Sequence, residues 1–164
     1  MAATINLIVA FLRNLGLGVD EGEVPDNTFL PGLRITAGAI VFDRRKLHWA
    51  GDLLHEAGHL AMTPSTRRGA LSDDLADQEN ETHAGEAEAT AWAYAATVAL
   101  GLTPDVLFHP GGYHGKSQAL IATYGAGVYP GCRGLSEAGM ALIGEAARLR
   151  GLPPYPHMLR WLRE

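Results

Sequence analysis

The 164-residue chain contains one cysteine, Cys132, so no disulfide can form within it. Its stability must come from packing or from a bound metal, and a reducing cytoplasm is its natural setting. Charge is also sparse, at 19% of residues with a net charge of −5. Basic residues gather no more densely than Arg44-Arg45-Lys46 and Arg67-Arg68. A phosphate backbone demands a denser basic face, so no nucleic-acid partner is expected. Long apolar runs are missing as well. The N-terminal set Ile5, Leu7, Ile8, Val9, Phe11 and Leu12 falls short of the ~18 residues a membrane span requires. Arg13 follows that set instead of preceding it, the reverse of a signal peptide. A first amphipathic core helix and no membrane partner are expected. With 47% apolar residues, the chain reads as one compact domain over residues 1–164. A domain of that size buries about 68–70% of its unfolded surface.

Histidine is what the chain has in quantity, with seven residues, and two of them frame the sequence His55-Glu56-Ala57-Gly58-His59. Positions four apart lie on one face of a helix, so the two imidazoles can converge on one zinc ion. Glu56 falls beside that face, where it can take a proton from a water polarised by the metal without binding the metal itself. Leu53, Leu54, Ala57, Leu60 and Ala61 surround the motif, which makes a solvated surface helix a poor reading. Gly58 costs about 1 kcal/mol relative to alanine in a helix interior. It therefore predicts a second backbone packed close to it.

Two histidines and a water leave a tetrahedral zinc one protein ligand short. An extended HExxHxxGxxH motif is excluded, because Met62 and Ser65 occupy the glycine and third-histidine positions. Cys132 is a distant thiolate candidate in the loop Pro130-Gly131-Cys132-Arg133-Gly134, and a lone cysteine is more often a small packed side chain. Glu86 and Glu88 are the better source, on a helix rich in small residues that can lie against the motif helix. Either one would complete a two-histidine, one-glutamate site. His83 lies one turn before Glu86 and is a minor candidate. The acidic stretch from Asp73 through Asp74, Asp77, Glu79 and Glu81 reads as a solvated loop between the two halves of the site.

HExGH followed about one helix later by Glu86-Ala87-Glu88-Ala89 resembles the gluzincin metallopeptidases, and most closely the ImmA/IrrE family of small regulatory metalloproteases. The resemblance covers roughly residues 35–97. It implies His55, His59 and Glu86 as metal ligands, Glu56 as the catalytic glutamate, and a zincin-like minimal core. Thr90 stands where that family usually has Asn or Asp to brace the third ligand. A regulatory protein partner is a further implication of the resemblance.

Elsewhere, residues 16–32 read as a turn-rich lead-in. Leu33–Thr36 and Ala39–Phe42 read as two strands of a hairpin about Ala37-Gly38. Asp52 is a candidate cap or first-turn acid of the motif helix, and Thr63-Pro64 its end. Thr103-Pro104 opens a short helix. The loop His109-Pro110-Gly111-Gly112-Tyr113-His114-Gly115 offers Tyr113 and His114 as donors to an oxyanion. Helices are expected over 115–124 and 136–149, the second capped by Ser136 and closed by Gly151. Pro153-Pro154-Tyr155-Pro156 reads as a stiff connector to a last amphipathic turn around Leu159, Trp161 and Leu162. The fold class is therefore α+β, mainly helical, with a small hairpin or sheet beside the HExxH helix. The expected function is a zinc-dependent hydrolase acting on a peptide or protein substrate. A zinc-stabilised regulatory module and a non-peptidase amidase are the competing readings.

Overall fold

Helix α1 (Ala2–Asn14) buries Ile5, Ile8, Val9 and Leu12, a single stripe at helical spacing. At its end the Arg13 guanidinium donates twice to the Val19 carbonyl, at 2.9 and 2.7 Å. Val19 belongs to strand β1 (Gly18–Glu21), inside the segment expected to be turns only. With Val19 its single buried position, β1 carries almost no strand pattern of its own. The computed structural model describes residues 1–72 and 85–164. It shows β1 running parallel to β3, paired from Gly18↔Ala39 to Glu21↔Phe42.

Strands β2 (Leu33–Thr36) and β3 (Ala39–Phe42) form the expected antiparallel hairpin, with β3 central in the order β1-β3-β2. Ala37 (φ 47°) and Gly38 (φ 75°) are both left-handed, as a two-residue hairpin turn with the right twist requires. Leu33, Ile35, Ile40 and Phe42 point into the core.

Helix α2 (Gly51–Met62) follows and packs most extensively on α4 (Glu86–Ala99). The central part of α4 is buried on nearly every side, from Ala91 through Thr97, so it is the axis of the fold and not a surface helix. Its alanines let α2 approach closely. A β-carbon at Gly58 would overlap the Ala89 carbonyl, which is the backbone neighbour that the glycine predicts. Thr63 turns extended ahead of Pro64 and ends α2 as expected. A short helix α3 (Ser65–Arg68) then brings Arg68 back over that end. Its Nε donates to the Leu60 carbonyl (2.8 Å) and its Nη2 to the Thr63 carbonyl (3.0 Å).

Thr103 precedes α5 (Pro104–Leu107), with proline in the first turn. A single 3-10 turn (Tyr113–Gly115) and helix α6 (Ser117–Gly125) come next. The helix expected over 136–149 is instead two, α7 (Cys132–Glu137) and α8 (Gly144–Arg150). Gly139 adopts φ 67° and stops α7, which lets Met140, Ala141 and Leu142 turn into the core. Ala141 bridges Met158, so the chain beyond Tyr155 runs as an irregular strap and not the expected amphipathic turn. Tyr155 donates from its buried hydroxyl to the Ala91 carbonyl (2.9 Å). Trp161 meets Phe11 and Trp92 edge-on. Among the described residues no helix is long and apolar enough to cross a membrane. Asp73, Asp74, Asp77, Glu79, Glu81 and His83 lie outside the described residues.

Candidate metal centre

The sequence spacing places His55 and His59 one turn apart on α2, and their rings meet edge-on with centroids 4.9 Å apart. Both Nε2 atoms aim at one point and stand 3.2 Å from each other. The first residue of α4 closes the triangle. Glu86 Oε1 lies 3.2 Å from His59 Nε2, and Oε2 lies 3.3 Å from His55 Nε2. Among the described residues these three side chains form the group able to hold a metal ion. Glu88 is turned away and lies against Gly134, which has no side chain to obstruct it.

The separations can be compared with those around a small divalent ion. Ligand atoms about 2.0–2.1 Å from a tetrahedral centre stand about 3.3–3.4 Å from one another. The two imidazole nitrogens stand close to that edge length, and each lies 3.2–3.3 Å from a different oxygen of the Glu86 carboxylate. Two imidazole nitrogens and a carboxylate oxygen also form a donor set that suits zinc. The histidines are mostly covered, with side chains 18% and 21% exposed, while Glu86 is 51% exposed. That gradient leaves the site open on the Glu86 side.

The electrostatics of the cluster follow from its geometry. Bonds from His55 and His59 hold the Glu86 carboxyl well below the usual carboxylate range. Burial alone would lower the pKa of His59. The bond to Glu86 and the charges of Glu56 and Glu86 outweigh burial and raise it. Glu56 is half-buried on the same helix and close enough to act on His59 through its charge. His55 Nδ1 is buried with no hydrogen-bond partner among the described residues.

Of the two expected oxyanion donors, the fold brings Tyr113 to the cluster. Its ring stands edge-on to His55, with centroids 6.1 Å apart. Burial raises its phenol above the ordinary range, and the charges of Asp52, Glu86 and Glu56 act in the same sense. The adjacent His114 is exposed. Cys132 is half-buried at the start of α7, and burial raises its thiol.

Asp52 sits in the first turn of α2, but Ala50 is the cap position and no side chain caps the helix. The Asp52 carboxylate accepts instead from His109 Nε2, at 2.8 Å, in a buried pair. Trp49 stacks on the His109 ring with centroids 4.7 Å apart and planes 8° from parallel. This group is not legible as a unit, because its members lie 57 residues apart in the chain. The one available signal is a carboxylate in the first turn of a mostly buried helix, which needs a partner. No protein-family model, curated protein or solved structure matches the chain.

Proposed function

We propose that the chain is a zinc-dependent hydrolase that cleaves peptide bonds, a small metallopeptidase of the gluzincin kind and closest in pattern to the ImmA/IrrE family. The observation that carries this reading is the convergence of the His55 and His59 Nε2 atoms and the Glu86 carboxylate on one point, with donor atoms 3.2–3.3 Å apart. Glu56 on the same helix supplies the second carboxylate that the chemistry needs. His55, His59 and Glu86 would hold the ion. When bound, zinc supplies Lewis acidity, lowering the pKa of a water and polarising the substrate carbonyl. Glu56 takes the proton of the attacking water on a carboxylate oxygen and later hands it to the leaving amine. The Tyr113 phenol, protonated at neutral pH as an ordinary phenol is, donates to the carbonyl oxygen as negative charge builds there. A cytoplasmic setting, with Cys132 reduced, belongs to the same proposal.

The test compares wild type with Glu56→Gln against a mixed peptide library. The variant is expected to keep one zinc per chain and to lose cleavage by at least about 100-fold, the scale of a general base. A Gln variant that cleaves at the wild-type rate would end the proposal.

A further inference from the structure

His109 and Asp52 are among the few buried polar side chains, with exposures of only 4% and 10%, and neither belongs to the metal cluster. A buried carboxylate is costly unless it is paired and hydrogen-bonded, and His109 is the partner of Asp52. Several contacts around His109 constrain one short turn, although its Nδ1 is buried with no hydrogen-bond partner among the described residues. Trp49 covers the ring, and a β-carbon on Gly111 would run into that indole. A β-carbon on Gly112 would come within 3.0 Å of His109 Cε1. Ser117 Oγ donates to the His109 carbonyl at 2.7 Å.

The turn so constrained delivers Tyr113 (φ 57°) and His114 (φ 51°), two successive non-glycine residues in the left-handed region. Such a conformation persists only where its surroundings over-determine it. Its product is a tyrosine ring packed against Phe108 and edge-on to His55. Asp52 lies one turn before His55 on α2, so both ends of the arrangement refer to one rigid helix.

We propose that Asp52 and His109 are positioning residues that tie the His109–Gly112 turn to the first turn of the metal helix and so fix the Tyr113 phenol beside the metal centre. The use made of that phenol rests on the hydrolase reading above. Its placement does not.

The experiment labels the protein with 3-fluorotyrosine and follows the five tyrosine resonances by 19F NMR, with Tyr113→Phe giving the assignment. In His109→Leu the Tyr113 signal is expected to move toward that of free fluorotyrosine and to lose its response to added Zn2+. Tyr129 and Tyr155 stay in place and report that the chain is folded. His109→Gln, which can still donate to Asp52, is expected to restore the wild-type signal, a rescue that a mere space-filling role would not give. On the zinc-loaded protein, acetohydroxamate serves as the probe of the donor. Tyr113→Phe and His109→Leu should each weaken it about threefold to tenfold, as for one lost hydrogen bond, and the double variant no further. Zinc affinity should stay within about twofold. A folded His109→Leu with an unmoved Tyr113 signal, multiplicative losses in the double variant, or loss of zinc in His109→Leu would each overturn the proposal. If His109→Leu unfolds, Asp52→Ala, which removes the acceptor, provides the same readouts. If the wild type binds no zinc, the hydrolase reading falls, and the 19F shift of the metal-free protein still decides the positioning role.

Discussion

Replacing Gly58 with alanine sets two effects of similar size against each other, and the structure says which wins. In an open helix the change stabilises by about 1 kcal/mol through propensity. Here the new methyl would lie about 1 Å inside ordinary van der Waals separation from the Ala89 carbonyl. That carbonyl is helix backbone and cannot rotate aside, so α2 and α4 must separate. Overpacking of this kind costs about 1–3 kcal/mol. The net expectation is a loss of up to about 2 kcal/mol, read by urea unfolding in the presence of EDTA. The separation also moves Glu86, one turn before Ala89, away from the two histidines on α2. Metal–ligand distances tolerate only about 0.2 Å, so zinc affinity should fall by about tenfold in a chelator-competition titration. Gly69→Ala is the control. Nothing lies within 4 Å of a β-carbon there, and its φ of −65° suits alanine. It should be neutral or stabilising by about 0.4–1 kcal/mol. A Gly58→Ala protein as stable as wild type with unchanged zinc affinity would refute the close-packed interface between the two ligand helices.

His59→Ala should abolish stoichiometric zinc by elemental analysis, since it removes one of three ligands. Arg68→Ala should cost about 1.5–3 kcal/mol in thermal or chemical unfolding, because it frees the last carbonyls of α2. Arg68→Lys should not rescue it, for lack of the forked donors. In EDTA, the His59–Glu86 pair should make stability depend on pH in two directions. The Glu86 pKa is lowered from 4.5, so its contribution is present above that value and lost as pH falls through the folded-state pKa. The His59 pKa is raised from 6.5, so its contribution is full below that value and lost as pH rises through the folded-state pKa. Metal-free protein should therefore gain most from this pair between pH 4.5 and 6.5. Zinc should stabilise progressively more above that window, where it no longer competes with protons. Thermal melts with and without zinc across pH 4–8 check both signs.

What could be read in the sequence was what local spacing determines. The interval from His55 to His59 places two rings on one helical face. Gly58 announced a backbone neighbour that is now identified as Ala89. The Ala37-Gly38 turn marked the hairpin because flanking alternation and turn chemistry agreed. Glu86 and Glu88 were indistinguishable by spacing alone. What separates them is the roll of α4, which turns Glu86 toward α2 and Glu88 toward Gly134. Strand β1 is not legible in the sequence because its identity comes from its pairing with β3, not from its own four residues. The expected helix over 136–149 failed at Gly139, whose left-handed conformation was decided by the burial of Met140 and Ala141. The Asp52–His109 pair needed the fold to bring it together.

The strap beyond Tyr155 gives the metal helix a dependence on the order of synthesis. The Arg163 backbone amide donates to the Ala61 carbonyl (2.9 Å), and the Arg163 carbonyl accepts from Arg68 (2.9 Å). The end of α2 is thus finished by residues that leave the ribosome roughly 100 positions after it, a delay of about 5–20 s at ordinary elongation rates. Glu86 emerges well before the strap, so all three candidate ligands are out while α2 still lacks the bond to its Ala61 carbonyl. A site formed at that stage would stand on a helix whose end is held by Arg68 and not yet by the strap.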